Sequence, residues 1–366
     1  MKPFEIRVLP GVGSVPQADW DALVGEGSPF LEHTFLATLE DAKCVGTGTG
    51  WSPCPVTVWE GGRLVGAAPA YLKGHSYGEF VYDWQWAAFA QRNGIRYYPK
   101  VAVCVPFTPV TGDRLLVAPD ADGDAVRAAL IAGLRGIAAE AQGLHVLFPS
   151  ERDAAALDAA GGMTRVQWQY HWENQGVRTF EDYLATVPTK RRTQIRKERK
   201  SVPGLRIEAG LNPAPALGRW MYTLYRDTHV RHTGAEGYLE PAFFELLFQR
   251  WGHRIHTVVA YDGDTPVAGT LNVFKGDRLY GRHWGTTREV PYLHFEVAIY
   301  AAVDWCIANG VAAFEPGHGG EHKRARGFRA RLTSSAHWLR DPRLDAALRD
   351  FCAREGEAVR AALGDE

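Results

Sequence analysis

At 366 residues, 46% of them hydrophobic and with a formal net charge of -1, the chain has the make-up of a folded protein with room for two domains. That composition excludes a disordered or collagen-like chain. The near-neutral balance gives no global attraction to nucleic acid or a membrane, so either partner would have to be met by a local patch.

Five cysteines (Cys44, Cys54, Cys104, Cys306 and Cys352) are odd in number, scattered, and form no C-x-x-C pair. Neither a disulfide framework nor a thiolate zinc site is expected. The first residues carry no apolar signal-peptide run, and no stretch of about 18 apolar residues occurs, so no membrane span and a reducing cytoplasm are expected.

From residue 56 the chain reads V-T-V-W-E-G-G-R-L-V-G-A-A-P-A-Y-L-K-G, and from 258 it reads V-V-A-Y-D-G-D-T-P-V-A-G-T-L-N-V-F-K-G. Gly61 aligns with Gly263, Val65 with Val267, Lys73 with Lys275 and Gly74 with Gly276, every pair 202 residues apart. Each copy predicts a strand, an acidic-glycine turn, a second strand, and a Lys-Gly turn into a third. Between 84 and 114 the first copy carries an insertion of about 35 residues, rich in Tyr, Phe and Pro, estimated from the change in repeat offset. Its weak periodicity predicts a rigid loop that walls a cleft rather than a helix.

Ala-rich amphipathic helices are predicted over about 124–141 and 294–308, each followed by a strand (G-L-H-V-L-F-P at 143–149, G-V-A-A-F-E-P at 310–316). Hairpin, further strand, helix and strand in that order predict an α/β class with mixed sheets. Q-W-Q-Y-H-W-E-N-Q-G marks the exit from the first copy, so the expected domains are 1–172 and 173–366. From Pro342 onward Leu344, Leu348, Phe351, Val359 and Leu363 fall at helical spacing and predict a packed terminal helix.

Residues 179–204 read T-F-E-D-Y-L-A-T-V-P-T-K-R-R-T-Q-I-R-K-E-R-K-S-V-P-G. Thr179 with Asp182 predicts a capped helix, Pro188 interrupts it, Thr189 can cap a second helix, and Pro203-Gly204 stops that one. Arg192, Arg196, Arg199 and Lys200 share a face of the second helix, with Ile195 its one apolar anchor and Glu198 its one acid. Such a helix is either a solvated face or a seat for a polyanion: tRNA backbone, a coenzyme pyrophosphate or a nucleotide-linked precursor.

The loop G-H-G-G-E-H-K-R-A-R-G-F at 317–328 contains His318, Glu321 and His322 in the H-x-x-E-H pattern of some zinc proteases. That pattern needs a helix, and its two internal glycines argue against one, so no metal is expected. Lys323, Arg324 and Arg326 suit an anionic group instead. The spacing fits neither a P-loop nor a dinucleotide fingerprint.

Taken with the repeat, several stretches resemble the FemAB-like superfamily, and most of all its peptidoglycan biosynthesis or recognition subgroup: Tyr97-Tyr98-Pro99-Lys100, Pro106 to Gly112, Gln169 to Trp172, Leu279 to Gly285, His294-Phe295-Glu296, E-H-K-R-A-R-G-F and Ser335 to Trp338. The resemblance implies two tandem GNAT-like domains, mixed central sheets flanked by helices, sharing one substrate cleft. It also implies an aminoacyl-tRNA donor, although the long helical insertion of many Fem enzymes is missing. In this chemistry an amine attacks an activated carbonyl, a base takes the proton and backbone amides polarise the carbonyl. Glu296, His283 or Glu315 are expected as base, with Lys323 as oxyanion or phosphate partner. His171, Trp172, Tyr280, Arg282, Trp284, Phe107, Thr108 and Thr111 are expected to line the acceptor cleft. Arg192, Arg196, Arg199, Lys200 and Arg326 are expected to hold the donor. No tightly bound cofactor is expected, the co-substrate being aminoacyl-tRNA, met by the 190–200 helix, or acyl-CoA; the acceptor is a small molecule or cell-wall precursor. The other readings are a non-catalytic glycan or precursor recognition module and an acetyl-CoA-dependent acetyltransferase.

Overall fold

The structure is a computed structural model that describes residues 3–364 apart from Pro203 and His318. Through the first copy the elements run β1 (Phe4–Val8), α1 (Gln17–Val24), α2 (His33–Asp41), β2 (Trp51–Pro53), β3 (Val56–Glu60), β4 (Arg63–Ala68), β5 (Ala70–Lys73), α3 (Trp84–Arg92), β6 (Lys100–Val103), β7 (Leu116–Val117), α4 (Gly123–Ala138), β8 (Gly143–Leu147), α5 (Glu151–Ala159) and β9 (Met163–Glu173). There follow α6 (Phe180–Ala185), α7 (Thr189–Lys200), β10 (Arg206–Leu211), α8 (Leu217–Thr233), α9 (Pro241–Arg250), β11 (Ile255–Asp262), β12 (Thr265–Lys275) and β13 (Arg278–Thr286). A helix over 293–308 comes next, made of α10 (Leu293–Phe295), a π-turn (Glu296–Tyr300) and α11 (Ala301–Ala308); β14 (Ala313–Glu315), β15 (Arg329–Leu339) and α12 (Pro342–Gly364) complete the chain.

Two compact units result: residues up to Trp168 with those from Leu332 onward, and Gln169–Arg331. The expected division at 172/173 follows chain order, and these units do not. The reason is packing: Leu344, Leu348 and Cys352 of α12 are buried with Trp86, Ala90 and Met163 of the first unit. A helix whose apolar stripe finds its hole there brings its strand with it.

The repeat is real at the level of hydrogen bonds. β3 and β4 pair antiparallel with a bulge between Val58 and Trp59, and β11 and β12 pair with a bulge between Ala260 and Tyr261, again 202 residues on. Gly61 and Gly263 both turn at φ 59°, a left-handed geometry that glycine adopts freely. Lys73 pairs with Lys100 across β5 and β6, as Lys275 pairs with Arg278 across β12 and β13. Where the second copy needs only Gly276 and Asp277 between those partners, the first has residues 74–99. β6 then runs parallel to β8, and β13 parallel to β14, each pair joined by a crossover containing a helix.

In the first unit β1-β3-β4-β7 form one sheet, and β8, β6, β5 and β2 lie in that order in a second, with β15 on the far side of β8. In the second unit the order is β10-β11-β12-β13-β14, with the end of β9 against β14. One prediction about the insertion fails. Residues 84–92 form α3, a helix whose buried anchors are Trp86 and Ala90, one turn apart. Two anchors in nine residues are too few to register as a periodic pattern.

Candidate functional site

The basic helix is anchored by its single acid. Thr179 and Asp182 form the expected reciprocal cap of α6. α7 starts at Thr189 with Pro188 in the capping position, so Thr189 caps nothing through its side chain. Ile195 and Glu198 are the buried residues of α7. Both Glu198 oxygens accept from Arg326 Nη2 at 2.9 and 2.8 Å, and the Tyr300 hydroxyl donates to Glu198 Oε2. Arg326 also donates to the Tyr300 hydroxyl at 2.7 Å and to the His322 carbonyl at 2.9 Å, and it lies 3.5 Å from the centre of the Phe295 ring.

Most of the cations expected to hold a donor are thus already committed. Arg199 grips both oxygens of Glu296 (3.1 and 3.0 Å), pairs with Asp304 at 2.8 Å and covers the Phe180 ring at 4.2 Å. This clamp ties α7 to the π-turn, and it occupies the carboxylate named first as a base. Arg192 donates to the Val187 and Ala185 carbonyls at the end of α6, and Arg196 pairs with Glu181 at 2.5 Å on the surface. Lys190, Arg191, Lys197 and Lys200 remain exposed on α7.

A different carboxylate sits where the sheet opens. β13 and β14 are in register through Arg278↔Ala313, Leu279↔Phe314 and Tyr280↔Glu315. β14 ends there, while β13 runs on to Thr286. Against β12 the register shifts so that Asn272 faces Gly281 and Leu271 faces His283, with Arg282 the extra residue of the bulge. The chain leaving Glu315 passes close over the bulge: a Cβ on Gly281 would lie 3.1 Å from the Pro316 Cα, and one on Gly317 3.1 Å from the Gly281 oxygen. Both distances are tighter than a Cβ ordinarily makes, which favours glycine at this crossing.

Glu315 is buried, and its Oε1 accepts from Arg278 at 3.3 Å. Its Oε2 has no partner among the described residues, and 3.8 Å away stands His171 Nε2, also buried and without one among them. That separation is too long for a direct hydrogen bond. Burial raises the Glu315 carboxyl to about 7, with Arg278 and Arg282 pulling the other way. Burial likewise holds His171 neutral, down at about 4, helped by the positive charges of Arg278 and Arg331. Arg282, sensing Glu315, is lowered by burial to about 10, and the Tyr280 hydroxyl is pushed up by burial and by Glu315.

The glycine loop closes beside this group. Lys323 donates to the Gly317 carbonyl at 2.6 Å, its amine lowered by burial to about 8, and Tyr170 donates to Glu321 at 3.0 Å. His318, which begins the H-x-x-E-H pattern, lies outside the described residues; Glu321 and His322 fall in a 3₁₀ turn, not an α-helix. Among the described residues no group of three or more His, Cys, Asp or Glu is arranged to hold a metal.

Within the second unit the structure gathers His171, Tyr280 and Arg282 around Glu315, with Lys323 on the Gly317 carbonyl of the adjoining loop, and places His283, Trp172 and Trp284 elsewhere. His283 faces α8 and α9, edge-on to Tyr225 at 4.9 Å and against Phe244, with burial pushing its imidazole well down. Trp172 is buried in the core against Tyr183. Trp284 stacks on His294 at 4.4 Å. In the first unit Phe107 packs on Trp51 at 5.2 Å, Thr108 is buried with its hydroxyl on the Pro106 carbonyl, and Thr111 is exposed.

Sequence reasoning passed over one cluster altogether. Beneath the 74–99 insertion Lys100 binds Glu79 at 2.7 Å and also Asp83, while Lys73 lies 3.3 Å from the centre of the Trp51 ring and donates to the Tyr77 carbonyl at 3.1 Å. All four charged groups are buried. Lys73 was legible only as a marker of the repeat, because its partners lie in residues the repeat does not contain.

With the geometry described, its kinship can be stated. Residues 11–365 match the FemAB-like family, described as peptidoglycan biosynthesis/recognition. The chain belongs to that family. Among solved structures it is similar to FemX at 12% identity and a TM-score of 0.53, over 92% of this chain and 98% of that one. It is also similar to the C-terminal domain of a putative lysylphosphatidylglycerol synthetase from Agrobacterium fabrum at 10% identity and a TM-score of 0.50, over 70% and 82%. A tandem GNAT protein from the clavulanic acid biosynthesis pathway aligns at 13% identity and a TM-score of 0.46, over 93% and 99%. No curated protein matches the sequence. The FemAB-like chain is thus an α/β protein with a repeated unit and mixed sheets flanked by helices, and none of its described helices is long and apolar enough to cross a membrane.

Proposed function

We propose that this FemAB-like protein passes an aminoacyl group from aminoacyl-tRNA to an amine on a cell-wall precursor, and that the reaction runs at the opening between β13 and β14. The observation that carries the reading is Glu315: a buried carboxylate at the point of divergence, raised to about 7, with one oxygen unpartnered among the described residues. A base poised near neutral pH removes a proton most effectively at the pH where the enzyme works. The acceptor amine attacks the ester carbonyl, the new N–C bond forms, and the amine proton passes to Glu315. Collapse of the tetrahedral intermediate breaks the ester C–O bond, and the proton leaves with the ribose hydroxyl. His171, held neutral, can accept or donate one hydrogen bond to the acceptor beside Glu315.

The exposed Lys190, Arg191, Lys197 and Lys200 favour a polyanionic donor over a small acyl-CoA. The entry to the 293–308 helix supports the same choice: T-T-R-E-V-P-Y before it offers no glycine for a pyrophosphate to approach. Mass spectrometry of amine acceptors incubated with charged tRNA pools or with acyl-CoAs tests the donor. Amide formation with acyl-CoA alone would replace the tRNA reading.

A further inference from the structure

The 74–99 insertion has no counterpart in the second copy, and the reaction described above makes no use of it. Thirteen large apolar side chains are exposed among the described residues, and five of them (Leu72, Tyr77, Tyr82, Trp84 and Phe89) fall between positions 72 and 89. Four are aromatic, exposed by 52%, 48%, 40% and 37% for Tyr77, Tyr82, Trp84 and Phe89. A concentration like this is not the scatter of single apolar residues that any surface shows.

The charges of the segment are sorted by sign. Its two acids, Glu79 and Asp83, are buried on Lys100. Its two arginines, Arg92 and Arg96, are exposed. Everything the insertion shows to solvent is therefore aromatic, neutral or cationic. On the α12 side Arg354 is paired with Asp350 at 2.6 Å, which adds no net charge.

Phe80 and Tyr82 are held at φ 61° and 50°, left-handed values that a non-glycine residue seldom adopts. The buried ion cluster beneath supports them. Tyr77 and Trp84 lie ring to ring at 4.7 Å. Helix α3 separates an open groove of about 680 Å³, lined by Trp84 and Arg96, from one of about 370 Å³, lined by Phe89 and Arg92.

We propose that this surface docks the protein on an anionic phospholipid bilayer, with Tyr77, Tyr82, Trp84 and Phe89 at headgroup depth and Arg92 and Arg96 on lipid phosphates. Tyr and Trp prefer that depth because each carries an apolar body and one polar atom. A short amphipathic helix lying in the interface, with cations beside its aromatics, is the form such anchors take. Lipid headgroups also account for the sign sorting, which a neutral glycan would not require.

The test is co-sedimentation of the full chain with vesicles of phosphatidylcholine alone and of phosphatidylcholine doped with phosphatidylglycerol, at low and at physiological salt. The protein is expected to sediment with the anionic vesicles, and less so as salt rises. Arg92→Ala with Arg96→Ala should lower partitioning roughly 25-fold, since each cation near the surface contributes about a factor of five. Trp84→Ser with Phe89→Ser should abolish it, circular dichroism confirming that both double variants remain folded. Failure to sediment with anionic vesicles at low salt would overturn the proposal, as would equal sedimentation of wild type and both variants. So would binding of a soluble disaccharide, lost in the Trp84/Phe89 variant, without vesicle binding.

Discussion

Glu315 Oε2 and His171 Nε2 face each other at 3.8 Å, both buried and neither with a partner among the described residues. Leaving two such atoms unsatisfied costs stability. For the carboxyl the cost depends on pH. Its value of about 7 in the fold, against 4.5 in the open chain, means that the native state prefers the protonated form. Stability is therefore greatest below pH 4.5 and is lost as pH rises through 7, by roughly 3 kcal/mol in all. Glu315→Gln keeps the shape and removes the charge. In thermal melts it should match wild type near pH 4 and exceed it at pH 8.

Of the two cations that hold the Glu315 value down, Arg278 acts more strongly than Arg282. In Arg278→Met that pull is gone, so the acid limb of the pH–rate profile should move to higher pH while the fold is kept, the Arg278 side chain being half exposed. An unmoved limb would mean that Glu315 is not the group whose ionisation governs the rate.

Glu198 and Arg326 form a buried ion pair completed by the Tyr300 hydroxyl. Removing one partner of such a pair typically costs about 3–5 kcal/mol, because the other charge stays buried. Arg326→Met should lower the melting temperature by several degrees and loosen α7, read by faster amide exchange at Ile195. Lys197→Ala, on the exposed face of the same helix, should leave both unchanged.

In the first unit burial lowers the Lys73 amine to about 7 from its ordinary 10.5. The fold favours the neutral amine, so wild type loses stability as pH falls from 10 towards 7. Lys73→Met should flatten that slope in melting temperature. The indole of Trp51, 3.3 Å from the amine, offers a fluorescence signal for the titration in wild type.

How far could the sequence alone be read? The paired hairpins were legible because a turn at φ 59° needs glycine at both Gly61 and Gly263, and because β-branched residues flank them. The cap at Thr179 was legible because its partner is three residues away. What escaped notice depends on contacts far apart in the chain. The burial of Glu198 is set by Arg326 and Tyr300, more than a hundred residues on, and Glu296 looked like a base only while its clamp by Arg199 was unseen. The joining of α12 to the first unit rests on a fit against Trp86 and Met163 that spacing cannot reveal. Glu315 was legible as one of three candidate bases, two of them carboxylates, but its distinction from Glu296 lies in which oxygens are already taken.

The proposed transfer of the amine proton to Glu315 is tested most directly by amide formation, followed by mass spectrometry, in wild type and Glu315→Gln across pH 5 to 9. Wild-type turnover should rise with pH and level off above about 7, and the Gln variant should fall by a factor of roughly 10² to 10⁴ with that limb gone. Turnover by Glu315→Gln within a few-fold of wild type, with the same pH profile, would contradict it.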